Sequence, residues 1–188
     1  MAGALSEHPA ARGRFQALFS AELAWMWTTL RRLGVRPSDL EDVTHDVFLS
    51  VYRKLDVYDP SRPVRPWLFA FAYRAASDYR RLARHREEPT DDLPEREAVF
   101  ARGDDMLEQK EESALVHAAL ARVDLDRRAV LVAHELDGTP MKDIAAALGI
   151  PLNTAYSRLR IGREELTVAV KRLTSQRSQP TQVSRGDA

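Results

Sequence analysis

TPMKDIAAALGIPLNTAYSRL, residues 139–159, is the stretch on which the fold turns. Thr139 can cap a helix whose first position is Pro140, and Ile144, Ala145 and Leu148 then share one inward face. Leu148-Gly149-Ile150-Pro151 makes a tight turn, beyond which Ala155, Leu159, Leu166 and Val170 mark the buried edge of another helix. Just upstream, Ala129, Val130, Val132, Ala133 and Leu136 supply an amphipathic helix that closes at Asp137-Gly138. A short helix, a glycine-containing turn and a second helix form a helix-turn-helix pattern.

What the second helix shows to solvent decides its use. Asn153, Thr154, Ser157 and Arg158 lie at its N-terminal end, away from Ala155 and Leu159, with Arg160 and Arg163 beside them. Arg suits guanine, Asn suits adenine, and Ser or Thr suits either base or phosphate. The plainer alternative is a small bundle with a hydrated basic face, and Gly162 in mid-helix weakens the helix slightly.

Working outward, the chain reads as all-α, since long periodic segments are poor in Gly and Pro and no alternating β-branched run occurs. The first helix spans about Phe15 to Leu33 and ends at Gly34. Ser38-Asp39-Leu40-Glu41 has the form of a capping box for a helix that turns Leu40, Val43, Val47, Val51 and Leu55 inward. Asp56 to Arg65 is a proline-rich loop, and Pro66 fits the first position of a helix running to about Arg84. That helix has a core stripe of Leu68, Phe71, Ala72, Ala75, Tyr79 and Leu82. Trp67, Ala70, Tyr73, Arg74, Ser77, Asp78 and Arg81 make a second face of aromatics and charges. Residues 87–103 read as an acidic linker, a helix resumes near Asp104, and residues 174–188 read as a disordered tail.

Charge is distributed in blocks. Residues 1–86 carry 14 Lys and Arg against 9 Asp and Glu, residues 87–112 carry 3 against 11, and residues 113–188 carry 11 against 8. Two basic blocks around an acidic one suit a two-point polyanion binder, even though the net charge is zero. With no cysteine there is no disulfide, thiol catalysis or Cys-ligated zinc, and the five histidines lack metal-ligand spacing. No nucleophile–base pair or phosphate loop stands out either. The expectation is a non-enzyme without cofactor or metal. No apolar run reaches the roughly 20 residues needed to span a bilayer, and the N-terminus lacks the features of a secretory signal, so a cytoplasmic protein is expected.

Two segments also resemble one family. Asp39-Leu40-Glu41-Asp42-Val43-Thr44-His45-Asp46-Val47-Phe48-Leu49, Tyr58-Asp59-Pro60, Trp67-Leu68, Ala72 and Asp78 resemble the second conserved region of extracytoplasmic-function sigma factors of the sigma-70 family. Glu135-Leu136-Asp137-Gly138, Asp143-Ile144-Ala145, Leu148-Gly149-Ile150-Pro151 and Thr154-Ala155-Tyr156-Ser157-Arg158-Leu159 resemble its fourth region. The resemblance implies two helical domains, 1–86 and 104–173, and a dissociable subunit of bacterial RNA polymerase.

Its implied partners are the core enzyme, through the beta-prime clamp helices and the beta flap, promoter DNA, and an anti-sigma factor. By position, Asp42, Asp46, Leu49 and Arg53 would meet the clamp. Tyr58, Arg62, Arg65, Trp67, Tyr73, Arg74, Asp78 and Arg81 would meet the melted minus-ten strand, and Asn153, Thr154, Ser157, Arg158, Arg160 and Arg163 the minus-thirty-five duplex. Arg74 stands where many members carry Asn, so the preferred minus-ten bases do not transfer. The alternative is a helix-turn-helix regulator that binds duplex without polymerase.

Overall fold

A computed structural model describes residues 9–85 and 105–177, with side chains over 12–83 and 113–176. The described residues are helical, without a strand. Helix α1 (Pro9–Leu33) leads through Gly34, at φ 102°, and a 3-10 turn (Pro37–Asp39) into α2 (Leu40–Arg53). A second 3-10 turn (Leu55–Val57) and a loop precede α3 (Val64–His85). The second half comprises α4 (Asp105–Ala121), α5 (Leu125–Leu131), a π-helical turn (Val132–Leu136), α6 (Met141–Leu148) and α7 (Leu152–Arg177).

In the first unit α1, α2 and α3 pack on one another. Met26, Leu30, Leu40, Val51 and Leu68 are buried at its centre, and Phe19 meets Phe48 edge-on at 4.7 Å. In the second unit α5 and α7 are the main pair, with α4 and α6 against α7. Gly149, at φ 66° in the left-handed region, makes the corner between α6 and α7 without the Cβ strain another residue would carry.

Several local expectations are corrected. The capping box does not form: Ser38 lies inside the 3-10 turn, its hydroxyl donates to Asp39 Oδ1, and α2 starts from Asp39 without a side-chain cap. Asp39 is instead engaged by Arg36 and by the Tyr79 hydroxyl, a tertiary use that outcompetes the local one. Helix α3 begins two residues early, at Val64, so Pro66 is its third residue; this is tolerated because the first four amides of a helix need no internal acceptor.

Thr139 likewise does not cap. Pro140 occupies the N-cap, its carbonyl accepting from Asp143 and Ile144, while the Thr139 amide donates to Ala133 O. Leu82 is 57% exposed, whereas Ala70, on the face the core was not expected to need, is buried. The reason is that α3 packs against α6 as well as α1 and α2, so it is covered on more sides than one amphipathic stripe would show. Leu136 is exposed where a continuous α-helix would bury it, because the π turn shifts its register. Helix α7 runs on to Arg177, past the expected end at Leu173. The expected linker, 87–103, and the tail from 178 lie outside the described residues.

The two units share one continuous apolar cluster, extending from Met26 and Leu68 through Leu120 and Val130 to Ile144 and Leu159. Polar contacts among the described residues also cross between them. Arg128, 4% exposed, donates to Leu33 O at the end of α1 and to Ala121 O and Val123 O after α4. Arg32 pairs with the nearly buried Asp137 at 3.2 Å. The Tyr73 hydroxyl donates to Asp126 Oδ1 at 2.6 Å.

Candidate nucleic-acid interface

The loop Tyr58–Pro63 is held by its own chemistry. The Tyr58 hydroxyl donates to Arg62 O, and Asp59 accepts from both the amide and the hydroxyl of Ser61. These bonds hold the Asp59 carboxyl below its ordinary value. Tyr58 then lies 4.8 Å from the Trp67 ring, Trp67 meets Phe71 edge-on at 4.9 Å, and the Arg74 guanidinium sits 5.8 Å over Phe71. The result is a ladder of three rings ending in a cation, half-buried at Tyr58 and Trp67, buried at Phe71 and exposed at Arg74. Half-buried rings bordered by arginines can take an unstacked base on an open face, with the cations placed for its phosphates.

The other candidates on this side are placed less uniformly. Arg62 is exposed beside Asp59. Asp78 and Arg81 pair with each other at 3.1 Å on the exposed face of α3. Arg65 turns back to Glu22 at 2.9 Å and lies over the Trp25 ring, so it braces α1 against the start of α3. Tyr73 is committed to Asp126, and burial, followed by that hydrogen bond, pushes its hydroxyl up to about 12.

Helix α2 exposes Asp42, Asp46, Leu49 and Arg53 together, with Leu49 41% exposed, which gives an apolar centre in a charged surround. Thr44 and Phe48 are buried on its other side and were missed in the sequence; the Leu40–Thr44–Phe48 spacing is the signal that widens the inward stripe.

On α7, Asn153 and Ser157 are exposed and Thr154 is half-exposed at the N-terminal end. The three arginines all have carboxylate partners: Arg158 with Asp126, Arg160 with Glu164 and Arg163 with Glu135. Arg158 is the least exposed of the three, at 24%. No group of three or more His, Asp or Glu able to hold a metal is found among the described residues, and none of the described helices is long and apolar enough to cross a membrane.

Comparison with known proteins agrees with this two-unit geometry. Residues 18–86 match the family described as Sigma-70 region 2, and residues 113–166 match Sigma-70, region 4. The chain is 30% identical over 141 residues to the ECF RNA polymerase sigma factor RpoE of Cereibacter sphaeroides, covering 73% of this chain and 75% of that one. Among solved structures it is similar to CnrH in complex with the cytosolic domain of CnrY, with a TM-score of 0.62, 25% identity and coverage of 85% and 89% of the two chains. It shares the fold of the sigma factor RpoE bound to the anti-sigma factor NepR from Bartonella quintana, at TM-score 0.62 and 20% identity over 84% and 97% of the two chains.

Proposed function

Because the chain belongs to the extracytoplasmic-function group of the sigma-70 family, and so is an alternative sigma factor directing promoter-specific initiation by bacterial RNA polymerase, we propose that its two units divide the promoter between the faces described above. The units are 1–86 and 104–173, joined by 87–103. The matched spans, 18–86 and 113–166, fall inside these bounds.

The ladder Tyr58–Trp67–Phe71–Arg74 carries the reading of the first unit. Trp67 and Tyr58 offer ring faces to bases leaving the stack at the minus-ten element. Arg62, Arg74 and Arg81 neutralise the strand, Asp78 orients Arg81, and Arg74 replaces the Asn of many relatives in the choice of base. Tyr73 and Arg65 join this surface only when released from Asp126 and Glu22. In the second unit Asn153, Thr154, Ser157 and Arg158 read base edges of the minus-thirty-five duplex, while Arg160 and Arg163 exchange their glutamates for phosphates.

Asp42, Asp46, Leu49 and Arg53 form the docking face for the clamp helices of the core enzyme, and the second unit meets the beta flap. The protein works in the cytoplasm with the polymerase, which supplies the catalysis. The Bartonella neighbour's complex supports an anti-sigma factor as a further partner. A regulator acting without polymerase would leave the region 2 match without a role.

The test is open-complex formation by core enzyme plus this protein, read by permanganate reactivity of unpaired thymines. Trp67→Ala slows opening more than it weakens the closed complex. Equal reactivity in mutant and wild type contradicts the ladder's role. Failure of the protein to co-elute with core enzyme contradicts the docking face.

A further inference from the structure

We propose that Leu152 and Tyr156 form an apolar row on α7 that reads the C5-methyl groups of pyrimidines in the duplex, so that promoter choice depends on thymine methyls as well as on hydrogen bonds to base edges. The proposal rests on the groove-facing reading of α7 and deepens it by naming further specificity-determining residues and the group they recognise.

The row stands where the core does not need it. Leu152 is 44% exposed and Tyr156 54%, whereas Ala155 and Leu159, which hold α7 against the rest of its unit, are buried. Residues four apart on a helix lie one above the other, so Leu152, Tyr156 and Arg160 line up along one exposed row. Asn153 and Ser157 make the adjacent row, also exposed. Whatever covers Tyr156 therefore also meets an amide, a hydroxyl and a guanidinium, and a purely apolar partner would leave those groups without hydrogen bonds.

An A·T pair has the matching mixture. Its major-groove edge presents the adenine N7 acceptor and N6 donor beside the thymine O4 and C5-methyl, and this methyl is the one apolar group that the pairs expose there. Asn153 suits the adenine edge. Tyr156, three residues on and so beside it on the helix surface, is placed to cover the methyl of the same pair or the next. Leu152 lies one helical turn before Tyr156, about 5.4 Å, which falls between one and two base steps of about 3.4 Å, so the two side chains suit methyls on neighbouring pairs.

The apolar row is also open in the free chain. Arg158, Arg160 and Arg163 each have to exchange a carboxylate for DNA, whereas the side chain of Tyr156 has no hydrogen-bond or ring partner among the described residues. Contact between Tyr156 and a methyl breaks no ion pair, and removing water from both apolar surfaces favours it. It depends on the methyl and little on salt, so it adds a base discrimination that phosphate contacts cannot supply.

The experiment uses holoenzyme assembled from core enzyme and the full chain, with a fluorescein-labelled promoter fragment that contains the minus-thirty-five element. The promoter is mapped by sequencing the RNA ends that this holoenzyme makes. Each thymine of the element, on either strand, is replaced in turn by deoxyuridine, which removes the methyl and leaves the pairing edge unchanged. Wild type is expected to bind about fourfold more weakly at one or two of these positions, the worth of one buried methyl. Tyr156→Ala and Leu152→Ala each erase the difference at their own position, and Tyr156→Phe keeps it, since the ring and not the hydroxyl makes the contact. Comparing thymine with deoxyuridine within each variant cancels any change in folding or in core binding.

At the same position 5-methylcytosine should bind more tightly than cytosine by a similar factor, because it carries the same methyl, and equal binding of the two overturns the proposal. Holoenzyme that binds thymine and deoxyuridine alike at every position overturns it as well, as does an element with no thymine on either strand. So does a methyl effect that persists undiminished in both Tyr156→Ala and Leu152→Ala. If Asn153→Ala leaves duplex affinity untouched, the groove-facing reading of α7 fails; a loss of affinity in Asn153→Ala without any methyl effect leaves that reading standing and sinks only the methyl row.

Discussion

Gly162 lies inside α7, a 26-residue helix, where helix propensity alone would favour Ala by up to about 1 kcal/mol. Its position explains it: a Cβ there would stand 3.3 Å from Arg127 O and 3.4 Å from Arg127 Cβ on α5. Helix α5 cannot readily retreat, because the next residue, Arg128, is bonded to three carbonyls. Gly162→Ala is therefore expected to lower stability by about 1 kcal/mol, overpacking outweighing propensity, and urea denaturation measures it. A gain in stability would show that α5 yields. A second residue-scale effect concerns acid. The Tyr79 hydroxyl, with smaller help from Ser38 and Arg36, holds the Asp39 carboxyl below its ordinary 3.8. A carboxyl lowered in the folded state contributes stability that is fully present above 3.8 and is lost as pH falls through the folded value. Tyr79→Phe removes the largest cause, so denaturation midpoints followed from neutral pH into acid should fall less steeply in the mutant below 3.8.

At the scale of elements, α7 meets DNA with arginines that already have carboxylate partners, so binding exchanges one anion for another. Arg160 and Arg163, paired with Glu164 and Glu135 on exposed surface, should behave as phosphate contacts. Each Ala substitution is expected to reduce the slope of log affinity on log salt by about 0.9 and to weaken all duplexes alike. Asn153→Ala should cost about 1–3 kcal/mol on the cognate duplex and little elsewhere, read by titrating cognate and scrambled duplexes at several salt concentrations. The elements themselves were largely legible in the sequence. Periodicity identified the helices and Gly149 the corner between α6 and α7, because these depend on backbone geometry and one-sided burial. The caps were not. Ser38 and Thr139 have the residue types of caps but lose that role to Asp39's tertiary bonds and to Pro140 O, which no local pattern reveals. The burial of Ala70 and the exposure of Leu82 are not legible in the sequence of α3, because an amphipathic pattern records one packed stripe and α3 has partners on several sides.

For the whole molecule, the charge blocks indicated two basic units but not how they meet, since the joining contacts pair residues far apart in the chain. Arg128 is the clearest case: in the sequence it is one cation of a basic block, whereas in the fold it is buried and its guanidinium is lowered to about 10, first by burial and then by Arg80. A buried arginine satisfied by carbonyls of both units makes their separation costly at one point, and the apolar cluster that crosses between them adds to this. Cooperativity is the measurable consequence. Trp25, Trp27 and Trp67 all belong to the first unit, so tryptophan fluorescence follows that unit alone, while far-ultraviolet circular dichroism follows both. Two units unfolding independently would give displaced denaturation curves, whereas units sharing a core give coincident ones. Wild-type chain is expected to show coincident curves in urea. Arg128→Met keeps the volume apolar but removes the bonds to Leu33 O, Ala121 O and Val123 O, and its two curves should separate, the dichroism midpoint falling below that of fluorescence as the second unit loses its brace. Displaced curves already in the wild type would mean that the shared cluster does not couple the units, and coincident curves in Arg128→Met would mean that apolar burial couples them without the arginine.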